Sequence, residues 1–364
     1  MSTKRIEHRM QVGPAREAKG TLLIKLEDVA QMAGVSVSTA SRALTGKGQV
    51  SKQTVKRVQR AAASLGYQPN ELARGLKMRS SRLIGLAVHN IFNPTYQCLA
   101  QVIQERLARS NYQIILCITN DSVEQEALYL ETLLNHRIEG LIAVPTGSNV
   151  ELFKRVSAAG VPVVTIIRRH REDIFDAVLQ ADTGGAAQGT EYLIRMGHRR
   201  IGFIVGPEDT TSGRERLAGY KQALGEAGIE LDPALIHQGP YSVETGIESC
   251  RALLQLEQPI TALFCANHEA SGGVLRVLSE QKVSIPQELS VLCYEDSPAF
   301  VSRHPSISVM DNDPAAIAEY AVDLLMRALQ REAGDPPALA PRELRVGNRL
   351  IVRGSCAPPK KSKE

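Results

Sequence analysis

The sequence predicts a small all-α head joined to an α/β body of two lobes, each built on a parallel sheet. Between Leu26 and Tyr67, three short stretches carry helical apolar spacing with capping or breaking residues at their ends. From Leu83 onward, apolar runs of strand length alternate with helix-length periodic segments. These runs fall into two series over about 270 residues, enough for two lobes.

Residues 1–21 are polar and basic and read as a disordered arm. In the head, 22–69, a first helix over about Leu26–Ala33 places Leu26, Val29, Ala30 and Ala33 on one face. Glu27 and Asp28 sit near its positive N-terminal end, and Gly34-Val35 breaks it. Ser36 caps a second helix running to about Leu44; Ser51 caps a third, Lys52 to Leu65, ended by Gly66. Residues 70–81 supply a linker with a short helical candidate over Glu71–Met78. The body, 82–356, opens with LIGLAV, YQIILCI, IEGLIAV and VPVVTII; RRIGFIVG, ALFCAN and LSVLCY form the second series. Strands apolar on both faces require parallel sheets covered by helices. Residues 357–364 read as a loose basic tail.

The net charge of +4 hides two unlike parts. Residues 1–82 hold 16 Lys/Arg against 5 Asp/Glu, and the rest hold 27 against 34. A basic head on a mildly acidic body points to a polyanion bound at one end. The N-terminus lacks an apolar core of signal-peptide length, and no run approaches membrane-spanning length. The six cysteines are scattered, with no Cys-x-x-Cys and no histidine at zinc spacing. Reduced thiols, no metal, no membrane and a cytoplasmic protein are the expectation. There is no P-loop, no Gly-x-Gly-x-x-Gly opening a helix after a strand, no Gly-x-Ser-x-Gly and no His-Glu-x-x-His. Neither a catalytic residue nor a cofactor is expected. His198, at a helix end before a strand, reads as structural.

The segment DVAQMAGVSVSTASRAL runs helix, glycine turn, helix, a unit that places its second helix in the major groove. Ser36, Ser38, Thr39 and Ser41 offer hydroxyls to phosphates, and Arg42 reaches a guanine edge with two hydrogen bonds. Val37 packs against a thymine methyl in this reading. This segment, with TGKGQVSKQTVKRVQRAAASLGYQPNELARGL after it, closely resembles the DNA-binding head of LacI/GalR-family transcriptional regulators. The resemblance continues through SSRLIGLAVHNIFNPTY, LLNHRIEGLIAVP, LIRMGHRRIGFIVGP, RLAGY and ALFCAN, covering roughly residues 22–356.

That resemblance implies base reading by Val37, Ser38 and Arg42, phosphate contacts by Ser36, Thr39 and Ser41, and a hinge helix containing Ala73 and Leu76. Leu76 matches a leucine wedged into the minor groove at the operator centre. It implies a body like periplasmic sugar-binding proteins of type I, with two Rossmann-like lobes: about 82–182 with 313–340, and about 183–312 with 341–356. Double-stranded operator DNA, a small-molecule effector and a homodimeric partner are the implied partners, and repression the implied output. Activation or dual regulation within the family, and a ligand-binding protein without DNA activity, are the alternatives. The implied effector site holds His89, Asn90, Thr95, Tyr96, Thr146 and Arg168 from one lobe, with Arg216, Asn267 and Glu295 from the other. Two positions depart from the family pattern. Its common Asn-Asp pair reads Asn267-His268, and its usual aspartate reads Glu295. With Arg168-Arg169-His170-Arg171 close by, these departures hint at an acidic effector such as a sugar acid.

Overall fold

The structure is a computed structural model that describes residues 24–46, 49–67, 80–172, 174–331 and 340–360. The expected arm 1–21, the hinge helix with Ala73 and Leu76, and the last four residues lie outside the described residues. The chain divides into two compact units, 1–79 and 80–364.

The first unit holds α1 (Leu26–Met32), α2 (Val37–Thr45) and α3 (Lys52–Leu65). Gly34 makes the turn after α1 at φ +59°, a left-handed conformation a side chain would resist. Ser36 and Ser51 accept the backbone N–H groups of Thr39 and Thr54, each at 3.2 Å, and so start α2 and α3. Lys25 offers α1 no side-chain cap; the Asp28 carboxylate instead accepts the Lys25 N–H at 2.7 Å, half of a capping box. Val29, Ala30, Ala40, Ala43, Val58 and Ala61 form the core, small enough to bring three short helices together.

In the second unit, β1 (Leu83–Val88), β2 (Gln113–Ile118), β3 (Gly140–Ala143), β4 (Val163–Ile166), β5 (Asp176–Gln180) and β11 (Glu343–Val346) form one sheet. Its order is β11-β5-β4-β3-β1-β2, parallel throughout. A second sheet, β12-β10-β9-β8-β6-β7, joins β6 (Ile201–Val205), β7 (Ile236–Gln238), β8 (Ala262–Cys265), β9 (Ser290–Tyr294), β10 (Ser308–Asp311) and β12 (Arg349–Ile351). All of its pairs are parallel except β10 with β12. Helices α4 (Pro94–Ala108), α5 (Val123–Asn135), α6 (Val150–Ala158) and α12 (Pro314–Leu329) cover the first sheet. Helices α7 (Asp182–Arg195), α8 (Thr211–Glu226), α9 (Val243–Leu254), α10 (His268–Glu280) and α11 (Pro298–Ser302) cover the second. Every residue of β3, β4, β6, β8 and β9 is buried, which is why these strands read as unbroken apolar runs.

One expected boundary needs correction. The resemblance implies that residues 341–356 lie wholly in the second lobe, yet Glu343–Val346 pairs with β5 in the first sheet. The chain crosses between lobes three times, after β5, after β10 and between β11 and β12. The last crossing joins a four-residue strand to a three-residue strand, both at sheet edges and partly exposed. Such short edges bury too little to leave an apolar signature. All six cysteines are free thiols: Cys117, Cys250, Cys265 and Cys293 are buried, Cys98 and Cys356 half-buried.

Candidate nucleic-acid interface and ligand cleft

In the head, α2 turns Ala40 and Ala43 inward, so its opposite side faces out. Ser36, Val37, Ser38 and Arg42 are exposed, with Thr39 and Ser41 half-buried beside them. Ser36 is held by hydroxyl contacts to Ser38 at 3.0 Å and Thr39 at 2.8 Å. Arg42 donates its Nε–H to the Ser38 carbonyl at 3.2 Å, which leaves the outer guanidinium nitrogens free to reach a base edge. Helix α3 adds Lys52, Lys56, Arg57 and Arg60, all exposed. A helix with small polar side chains and one outward arginine, backed by four cations, has the chemistry of a major-groove reader.

In the body, a cavity of about 210 Å³ lies between the lobes, at the carboxyl ends of the strands. Of the nine residues expected there, seven line it: His89, Asn90, Tyr96, Arg168, Arg216, Asn267 and Glu295. Two do not. Thr95 is buried in the first turn of α4, where its N–H donates to Asn93 Oδ1 at 2.8 Å. Thr146 donates its N–H and hydroxyl to Glu126, at 2.8 and 2.7 Å, and so fixes a loop outside the lining. Asn93, Asn120, Asp121, Ile167, Ser212, Tyr241 and Glu269 also line the cavity and were not anticipated. Asn93 carried a readable signal, since Asn before Pro at a helix start is a capping pattern. Glu269 supplies a carboxylate one residue beyond His268, the position where the family pattern places an acid.

Four lining residues, Asn120, Asp121, Ile167 and Glu295, hold positive φ, at 49°, 58°, 65° and 66°. A branched side chain such as Ile167 resists that region, and strain of this kind collects at binding sites. The strand-to-loop turns are bent so that the residues after β2, β4 and β9 face inward.

The electrostatics are built from pairs. Arg168, 4 % exposed, donates Nη1 to Asp121 at 3.0 and 3.3 Å and lies over the Tyr241 ring at 4.6 Å. His89 sits between them, 3.4 Å from both. Burial, then the Arg168 charge, holds His89 well below the ordinary histidine range, so its ring is neutral. Arg216 donates Nε to Asp182 at 2.8 Å, Nη1 to the Ala266 carbonyl at 2.7 Å and Nη2 to Gln180 at 2.7 Å. Its guanidinium stacks 4.0 Å over Tyr294. Asn93 ties the lobes together, donating Nδ2 to Glu269 and Glu295, each at 3.0 Å. Burial pushes the Glu295 carboxyl up, with Arg216 pulling it down and Glu269 pushing further up.

A helix-turn-helix head followed by a two-lobed body with a polar interlobe cavity defines a DNA-binding regulator with a sensor-type domain. Residues 25–70 match the pattern of bacterial regulatory proteins of the lacI family, and residues 190–356 that of the periplasmic binding protein-like domain. The ribose operon repressor of Haemophilus influenzae is 30% identical over 305 residues, spanning 84% of this chain and 92% of the relative. A transcriptional regulator CelR–cellobiose complex is 29% identical with TM-score 0.69, covering 91% of this chain and 99% of its own. A lac repressor dimer bound to operator and the anti-inducer ONPF is 26% identical with TM-score 0.78, covering 92% and 99%. The chain belongs to the lacI family and is a transcriptional regulator; these relatives are regulators, not enzymes. Among the described residues no helix is long and apolar enough to cross a membrane.

Proposed function

We propose that the protein is a repressor that binds a pseudo-palindromic operator as a homodimer and is controlled by a small polar effector in the interlobe cleft. The cavity carries the effector half of this reading: it is lined from both lobes by charged and amide side chains on strained turns. A cleft walled by two lobes couples ligand to lobe geometry, because the ligand binds better when both walls are in place. The solved complex with cellobiose and the ribose operon repressor support a carbohydrate-like effector. The lac repressor dimer on its operator supports two heads on matched half-sites. In this reading residues 70–81 fold as a hinge on operator DNA, with Leu76 at the central step. Gly75, a poor helix former, disfavours that helix without DNA.

The test is operator selection from a random DNA library, followed by gel shift of the selected fragment. A symmetric selected site, lost on deletion of residues 1–80, is the expected result. Arg42→Ala relaxes preference at one base position and costs about 1–3 kcal/mol of binding. An asymmetric site, or affinity unchanged by the deletion, overturns the reading.

A further inference from the structure

The cavity has an imbalance of charge and of hydrogen-bonding groups that constrains its occupant. Two guanidinium groups and three carboxylates line it, and each guanidinium already has a carboxylate of its own: Arg168 has Asp121, and Arg216 has the buried Asp182, outside the lining. Glu269 and Glu295 are left over, with Arg216 Nη2 no nearer Glu295 than 3.8 Å. Each amide nitrogen of the cavity already donates at least once to a protein acceptor. Asn90 donates to Glu269 at 3.1 Å, Asn267 to Glu269 at 2.9 Å, Asn120 to Gln125 at 3.2 Å, and Asn93 to both glutamates. Their carbonyls are partly spent as well, on the N–H groups that start α4 and α10. Beside Arg216 and the Ser212 and Tyr241 hydroxyls, which bond each other at 2.8 Å, the second lobe's wall therefore offers an incoming molecule the oxygens of two carboxylates that lack a close cation.

An anionic ligand brings more acceptors and more negative charge to that wall. A neutral hydroxyl brings one donor. A protonated amine brings two or three donors and the missing positive charge. At the opposite wall, the buried Arg168 Nε–H has no partner among the described residues, which suits an oxygen acceptor on the same molecule. We propose that the cleft takes a small polar molecule carrying a protonated amine, seated against Glu269 and Glu295 with an oxygen acceptor toward Arg168. This rests on the cleft being the effector site. It replaces the acidic effector suggested by the arginine run: Arg168 is neutralised by Asp121, and Arg169 pairs with Glu343 at 2.8 Å.

The experiment is thermal shift on the full-length protein with two matched trios. The first is D-glucosamine, D-glucose and D-glucuronate; the second is putrescine, 1,4-butanediol and succinate. Each is used at roughly 10 mM, well above a millimolar dissociation constant, so that mass action gives a readable shift. An amine in at least one trio is expected to raise Tm more than its neutral and acidic partners. Glu269→Gln is expected to weaken that amine about tenfold by calorimetry, and Glu269→Asp, which keeps the charge, to retain the preference. A larger shift from a neutral or acidic member, or no shift from either amine, overturns the amine assignment. A neutral or acidic shift abolished by Tyr241→Ala leaves the cleft as the effector site and sinks the amine alone. Any shift that survives both Glu269→Gln and Tyr241→Ala places the ligand elsewhere and overturns the cleft reading as well.

Discussion

Arg216 shows how much a single side chain can organise. It is 2 % exposed, yet it reaches Asp182, Gln180 and the Ala266 carbonyl, joining the crossover after β5 to the ends of β8 and α8. Removing one partner of a buried pair leaves an uncompensated charge, so Asp182→Ala is expected to cost about 3–5 kcal/mol in urea unfolding. A loss below about 1 kcal/mol would mean that water already reaches the pair. His198 makes a different prediction. Its Nε2 lies 3.0 Å from the Ala357 carbonyl and its Nδ1 2.9 Å from the Thr261 hydroxyl, an arrangement that suits a neutral ring. Burial holds its pKa below the ordinary 6.5. The unfolded chain then takes up a proton that the folded chain refuses, and stability falls as pH drops through the unfolded value toward the folded one. The slope is at most about 1.4 kcal/mol per pH unit for each such histidine. Urea midpoints between about pH 8 and about pH 5.5 should fall, and His198→Gln should flatten that fall while starting lower. Equal slopes in both proteins would assign the pH dependence elsewhere. The sequence placed His198 as structural from its position at a helix end, but its partners come from 63, 92 and 159 residues away. No local pattern announces them.

At the scale of elements, close helix pairs rather than strands set the tolerances of the second lobe. Where α7 meets α8, a Cβ on Gly219 would stand 2.1 Å from the Thr183 carbonyl oxygen and 2.9 Å from the Ala187 nitrogen. Between α9 and α10, Gly246 and Gly273 are similarly placed against the backbone at Ala270 and Val243. A backbone obstacle cannot rotate aside, so Gly219→Ala must push the helices apart. It is expected to lower stability by about 1–3 kcal/mol or more. Gly225, later in α8, has open space around it, and Gly225→Ala should instead gain about 0.4–1 kcal/mol through lower chain entropy. Tm measurements on the two variants would show opposite signs; a shared sign would refute the packing argument. The strands and most helices were legible in the sequence because β3, β4, β8 and β9 are buried on both faces and two of the three head helices, α2 and α3, carry serine caps. Asp121, Ser212 and Tyr241 were not, since they reach the cleft from loops and helix starts whose course depends on the lobes being packed. Thr146 illustrates the converse. It stands after a first-lobe strand, where a contact is expected, but Glu126 of α5 captures its hydroxyl.

The whole molecule is divided by charge and by contact at nearly the same place. Residues 1–79 and 80–364 form the two compact units, and the excess of Lys/Arg over Asp/Glu is confined to residues 1–82. The body secures its own beginning. Ser80 donates its hydroxyl to Glu139 at 2.6 Å, the Arg82 N–H donates to the same carboxylate at 2.7 Å, and Ser81 donates to the Arg137 carbonyl at 2.6 Å. Despite partial burial, the bonds from Ser80 and Arg82 help hold Glu139 below the usual carboxylate range. A fragment beginning at Ser80 therefore keeps both sheets, the anchoring bonds and every residue of the cleft. Its core clusters are built from body residues. It should fold with a Tm within about 3 °C of the body transition in the intact chain, the shift expected from less than about 1 kcal/mol. Ligand affinity should be unchanged, whereas operator binding should vanish. Intact protein should lose DNA affinity steeply with salt, each neutralised phosphate adding about 0.9 to the slope of log K against log salt. The fragment, acidic overall, should show no such dependence because it should not bind. Circular dichroism melts, calorimetry with any ligand found for the intact chain, and gel shifts over a salt series measure all three. A fragment that is unfolded, or that holds operator DNA with the salt slope of the intact protein, would show that sensing and DNA reading are not separable at Ser80.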